Sequence, residues 1–159
     1  MFDSCVVFGD STIELDKIVQ KAVETGIRFS LLFTSPPYCS VTDYYVDQWL
    51  RLWLLGGPDI PKLNQEQHKG RFVSKEDYYN LLDNVFGNCA VLMDKKSTIY
   101  VRTDKREFTF NSTLEILQRH FPKHKTEISD KPFTKRTQTE MFGNSSVENG
   151  EVDIIMSRI

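Results

Sequence analysis

Thr34-Ser35-Pro36-Pro37-Tyr38 concentrates more chemistry than any other stretch of this 159-residue chain. A hydroxyl precedes a corner of two prolines, and an aromatic ring follows it. Each proline fixes φ and removes a backbone donor, so the chain leaves this point in one rigid shape. The Ser35 hydroxyl and the Pro36 carbonyl can accept hydrogen bonds from an amine, and proline's fixed geometry aims that carbonyl. Tyr38 offers a face on which a planar ring can stack. The set suits a flat, amine-bearing ring. The plainer reading of the same residues is a Pro-Pro turn between a strand and a helix.

These residues resemble the Ser/Asp/Asn-Pro-Pro-aromatic motif of the amino-methyltransferases of DNA, in which the serine form goes with cytosine-N4 methylation. The resemblance implies S-adenosylmethionine as methyl donor and DNA as substrate. An exocyclic ring amine is a poor nucleophile, because its lone pair is delocalised into the ring. Its hydrogens must be held so that the nitrogen becomes pyramidal and faces the activated methyl group, which makes catalysis largely positioning. The base must first be flipped out of the duplex, at a cost of roughly a few kcal/mol. On this resemblance Ser35, Pro36, Pro37 and Tyr38 are the catalytic set. Asp10, in the Gly9-Asp10 pair, is similar to the family's strand-end acid that contacts the cofactor's adenine, and Ser35 lies beside the methyl. Tyr44 and the cations Lys131, Lys135 and Arg136 are the expected DNA contacts. No metal is implied.

Other assignments stay open. An adenine-N6 enzyme or an RNA amino-methyltransferase uses the same corner, the latter more usually with Asn or Asp first. A non-catalytic or remnant DNA-binding subunit would keep the fold without the reaction. A cytosine-C5 enzyme is set aside, since its Pro-Cys dipeptide is absent: Tyr38 separates Pro37 from Cys39.

The elements that position the corner follow from periodicity. Cys5–Phe8 reads as a short strand, and Ser11 or Thr12 can cap a helix that Gly26 ends. The apolar run Phe29–Phe33 is the next strand, so strand-helix-strand predicts a parallel pair. Asp43–Leu55 reads as a helix whose aromatics Tyr45, Trp49 and Trp53 are expected in the core. Ser74 and Asp77 form a capping box opening a helix through Leu92, and Ser112 with Glu115 a second one. Strands are expected over Thr98–Val101, Thr126–Ile128 and Val152–Met156, the last two antiparallel because no helical pattern joins them. Residues 56–73 and 130–150 are expected to be mobile loops. The fold class is α/β: a doubly wound, mostly parallel, Rossmann-like sheet of the S-adenosylmethionine-methyltransferase type with a terminal antiparallel pair. Phe142-Gly143 ahead of Glu151–Ile155 also looks like the end of one branch of site-specific DNA methyltransferases.

Bulk properties bound the rest. One domain over residues 1–159 is the natural count for 18.5 kDa, and 40% hydrophobic residues exclude disorder for most of the length. The net charge of −2 does not mark a nucleic-acid binder. Residues 119–136 nevertheless gather Arg119, Lys123, Lys125, Lys131, Lys135 and Arg136 against only Glu127 and Asp130, a stretch able to meet phosphates. Cys5, Cys39 and Cys89 form no C-x-x-C, so a reduced, cytoplasmic protein is expected, with no membrane span. The family's glycine-rich cofactor loop is absent: none of the eight glycines makes a G-x-G. The expectation is therefore the catalytic half of the sheet, completed by a second polypeptide or by self-association.

Overall fold

The computed structural model describes residues 4–40, 50–51, 53–57, 74–130 and 150–158. In chain order the elements are α1 (Ser11–Thr25), β1 (Phe29–Thr34), α2 (Lys75–Leu92), β2 (Met93–Asp104), α3 (Glu107–His120), β3 (His124–Ser129) and β4 (Glu151–Arg158). The strands form one four-stranded sheet in the order β1-β2-β4-β3. β1 and β2 are parallel, with Thr34 opposite Val101, and α2 lies in the crossover between them. β2–β4 and β3–β4 are antiparallel. The terminal antiparallel pair is thus present, whereas the sheet as a whole is mixed rather than mostly parallel.

Alternation along β2 sorts the layers. Ser97, Ile99, Val101 and Thr103 are fully buried, while Thr98, Tyr100 and Arg102 are half-buried on the opposite face. The buried face carries the helices. Tyr78, Leu82 and Phe86 of α2 and Ile116 and Leu117 of α3 close over Ile99, Val101, Ile154 and Met156. Burying a side chain of this size is worth about 1.5–3 kcal/mol, so this layer is the main source of stability. α1 packs on α2 rather than on the sheet, and Asn88 donates to Asp16 at 2.7 Å to tie the two helices. All three helices lie on one side. On the other, Leu31 and Phe33 are 58% and 72% exposed, and Phe33 stacks on Tyr100 with centroids 4.9 Å apart. Among the described residues no helix covers that face, so the second half of a doubly wound arrangement is not present there.

Local chemistry explains the helix ends. Gly26, at φ 71°, takes the left-handed conformation that closes α1. The Ser74 side chain accepts from the Asp77 N–H at 3.3 Å, as the capping box predicts. α1 is capped by Asp10 instead of Ser11 or Thr12: its Oδ1 accepts from Thr12 N at 2.9 Å and Thr12 Oγ1 at 2.7 Å. α3 begins at Glu107, five residues before the expected cap. Nothing between Glu107 and Ser112 breaks a helix, and Ser112 is buried 6% exposed inside it. Glu115 accepts from the Tyr79 hydroxyl instead of reaching back to a cap.

Cys5–Phe8 is not a strand. Val6 and Phe8 are fully exposed, and among the described residues β1 pairs only with β2. A four-residue segment that finds no ladder and no covering layer among those residues buries too little to offset the entropy of ordering it as a strand. The helix expected over Asp43–Leu55 is seen only at its end, where residues 50, 51, 53 and 54 are helical. Trp53 is 44% exposed there, outside the core in which it was expected. The two expected loops fall largely outside the described residues. No helix among the described residues is long and apolar enough to cross a membrane.

Candidate functional site

The Pro-Pro corner sits directly beyond the carboxyl end of β1. The apolar run that makes β1 a strand ends at Thr34, and Pro36 and Pro37 forbid its continuation. From there the chain turns into a cleft of about 520 Å³ between β1, α1 and α2. Ser35, Pro36 and Pro37 line it on one side, and Asp10 and Ser11 at the start of α1 on another. The floor is apolar, from Leu32, Leu82 and Phe86. Two residues that the sequence ties to one site, Asp10 and Ser35, are therefore brought together across 25 positions of chain. The cleft falls within the range of about 300–1,000 Å³ usual for small-molecule sites.

Tyr38 takes a different direction. It does not line the cleft, and its hydroxyl donates to Glu151 Oε1 at 2.9 Å, at the first residue of β4. Burial pushes its phenol well above the usual range. Its hydrogen bond with Ser35 pulls the other way, and Glu151 adds to the rise. The ring is thus anchored at its tip, with its hydroxyl tied to both Ser35 and Glu151. Glu151 lies 3.8 Å from Arg102 Nε, and Arg102 grips Asp153 with Nε and Nη2 at 2.7 and 3.1 Å.

A second anchor fixes the exit of the corner. Arg106 Nη2 donates to the Cys39 carbonyl at 2.6 Å and to Asp104 Oδ2 at 2.6 Å. Arg106 Nε reaches the same oxygen at 3.0 Å, and the Arg106 N–H reaches Asp104 Oδ1 at 2.9 Å. Asp104 is 5% exposed, so this pair works in a poorly solvated setting. The parallel β1–β2 pairing makes the meeting possible. It puts the carboxyl ends of both strands at one edge of the sheet, where antiparallel β4 begins with Glu151 opposite Asp104.

Cys89, from α2, also lines the cleft, and burial pushes its thiol up to about 11. It stays protonated near neutrality and is not a nucleophile there. Among the described residues no cluster of three or more His, Cys, Asp or Glu side chains could hold a metal. Among the described residues the cleft offers the hydroxyls of Ser11, Thr34 and Ser35, a rigidly aimed carbonyl region, the Asp10 carboxylate and an apolar floor. That is equipment for holding and orienting.

Tyr44, Lys131, Lys135 and Arg136, the expected DNA contacts, lie outside the described residues. Sequence reasoning missed Glu151 as the partner of Tyr38, the Arg106–Asp104 clamp, and Cys89 in the cleft wall. Only the spacing of Leu82, Phe86 and Cys89 on one helix face carried any signal for the wall. No protein-family model and no curated protein matches the chain.

Proposed function

We propose that this chain is the target-base half of a site-specific DNA methyltransferase, acting on an exocyclic amine, with cytosine N4 the preferred target. The observation that carries the reading is the position of Ser35-Pro36-Pro37. It opens the cleft beyond the carboxyl end of a parallel strand, where open α/β sheets bind ligands, with Asp10 lining the same cleft. In this role the Ser35 hydroxyl and the Pro36 carbonyl accept hydrogen bonds from the target amine. Tyr38, held at its tip by Ser35 and Glu151, stands outside the cleft and keeps the corner in place. Asp10 takes the adenine side of S-adenosylmethionine, and the apolar floor keeps water from the sulfonium. When bound, that cofactor supplies a methyl group that needs no further activation.

The residues present fit one side of that cofactor. Asp10 and the apolar floor suit the adenosine end, while among the described residues no cation lines the cleft for the methionine carboxylate. With no G-x-G among these 159 residues, the backbone cradle for that end has to come from outside them. The face on which Leu31 and Phe33 are exposed, covered by no helix among the described residues, and the outer edge of β1, which pairs with no strand among them, support such completion. A doubly wound sheet would then form across the two parts.

Calorimetric titration of the purified chain with S-adenosylmethionine tests this division. Losing several charged hydrogen bonds of about 1.5–3 kcal/mol each moves an ordinary micromolar site into the millimolar range. Tight one-to-one binding by a monomer would contradict it.

A further inference from the structure

Arg119, Lys123 and Lys125 of the basic stretch read in the sequence lie among the described residues, and they have different neighbours in the structure. Arg119 is engaged with Asp83 and lies over the Tyr79 ring, on the helical layer. Lys123 and Lys125, beside and within the start of β3, instead lie at the sheet end that also holds the end of β4 and the start of β2. His124 stands opposite Arg158 and Lys125 opposite Ser157, while Ser157 also stands opposite Thr98 of β2. Arg158 Nη1 donates to the Lys95 carbonyl at 3.1 Å, which ties the end of β4 to the start of β2. Between Phe29 and Leu31 the β1–β2 register jumps from Met93 to Thr98, so Lys95 and Lys96 lie in an irregular stretch at this same end.

Lys95, Lys96, Lys123, Lys125 and Arg158 are all exposed, and none forms an ion pair among the described residues. The acids nearby offset them little. Asp94 Oδ1 accepts from the Lys96 N–H at 2.8 Å, turned back on its own backbone, and Glu127 stands opposite Ile155, further in along the sheet. Five cations without an ion pair among the described residues, at one end of a chain of net charge −2, are suited to an anionic partner. The patch lies at the amino end of β2, opposite the corner. Thr98 to Asp104 alone spans about 20 Å at about 3.3 Å per residue.

We infer that this end of the sheet binds the phosphodiester backbone of duplex DNA outside the target site. The inference rests on the reading that DNA is the substrate, and it assigns the grip on DNA to a surface remote from the cleft. Discrete cations on strand ends meet phosphates spaced along a duplex without reading sequence, so binding here is sequence-independent and governed by counterion release.

The test is fluorescence anisotropy of a labelled duplex of arbitrary sequence, titrated with the full-length chain at several salt concentrations. If all five cations meet phosphates, log K falls with log salt at a slope of about −4.5, an affinity loss of about 500-fold between about 50 and about 200 mM. Lys95→Gln/Lys123→Gln/Lys125→Gln leaves two contacts and reduces that loss to about 12-fold. Lys96→Gln/Arg158→Gln gives an intermediate slope, and Lys17→Gln/Lys21→Gln, on α1, leaves it unchanged. Three results overturn the inference: no salt-dependent binding by the wild-type chain, a wild-type slope in the triple variant, or capture by anionic phospholipid vesicles without binding to DNA. Binding through the patch needs neither cofactor nor methyl transfer. Methyl transfer absent from this chain assembled with the part that completes the cofactor site, while DNA still binds through the patch, contradicts the proposed reaction alone.

Discussion

Replacing Arg106 by Ala removes the clamp that holds the corner's exit to the end of β2. The substitution deletes three side-chain hydrogen bonds, two to Asp104 Oδ2 and one to the Cys39 carbonyl. It leaves a carboxylate that is 5% exposed with the Arg106 N–H as its remaining partner from the clamp. Removing one member of a buried pair costs about 3–5 kcal/mol, because the other charge stays desolvated. The Arg106 side chain is 29% exposed, so water repairs part of the loss and about 2–4 kcal/mol is expected. Urea unfolding of the purified chain reads this as a midpoint lowered by about 1–2 M, with an m-value of about 2 kcal/mol/M. Arg106→Lys keeps the charge and loses the fork, so it falls between. Asp104→Asn combined with Arg106→Ala should cost less than the sum of the single changes by about 1–2 kcal/mol. A midpoint shift below about 0.3 M, or strict additivity in that cycle, would refute the clamp.

Asp10→Ala loses the cap of α1 and should destabilise by about 1 kcal/mol, whereas Asp10→Asn keeps the cap; weaker S-adenosylmethionine binding by the assembled Asn variant at unchanged stability would separate cofactor contact from capping. Tyr38→Phe removes the bond to Glu151 and should cost about 0.5–1.5 kcal/mol in denaturant unfolding, with no effect expected if that bond is absent in solution. Cys89 holds its proton to about 11 when folded and to about 8.5 when unfolded. Over that interval the unfolded chain binds fewer protons, so stability is full below it and falls as pH rises through it, by about 3 kcal/mol in all. Cys89→Ala should flatten this part of the stability–pH curve, and an unchanged slope would place the thiol outside the apolar wall.

How much of this was legible beforehand depended on the range of the signal. Local signals were readable: the Ser74 cap, Gly26, the apolar run of β1 and the Pro-Pro corner each act within a few residues, and each appears where its chemistry puts it. The β3–β4 pairing was readable because no helical pattern separates the strands. Cys5–Phe8 failed because an apolar tetrapeptide becomes a strand only where a ladder and a covering layer exist, and tertiary structure decides both. The start of α3 failed because Ser112 caps as readily on paper as it packs in a core, and burial settled it. At the site, the joining of Asp10 to Ser35 followed from motif and order. The Tyr38–Glu151 and Arg106–Cys39 contacts span 113 and 67 positions of chain, and no local pattern encodes them.

The central claim is that Ser35 and its two prolines hold an amine for methylation. Single-turnover transfer of labelled methyl from S-adenosylmethionine to DNA, by this chain assembled with a polypeptide carrying the glycine-rich loop, tests it most directly. Ser35 is exposed at the cleft, so Ser35→Ala costs at most its hydrogen bond with Tyr38, about 0.5–1.5 kcal/mol, and leaves the fold in place for the assay. N4-methylcytosine is expected among the hydrolysed nucleosides for the wild-type assembly and lost in the Ser35→Ala assembly. Undiminished transfer by that variant, or label confined to cytosine C5, would contradict it.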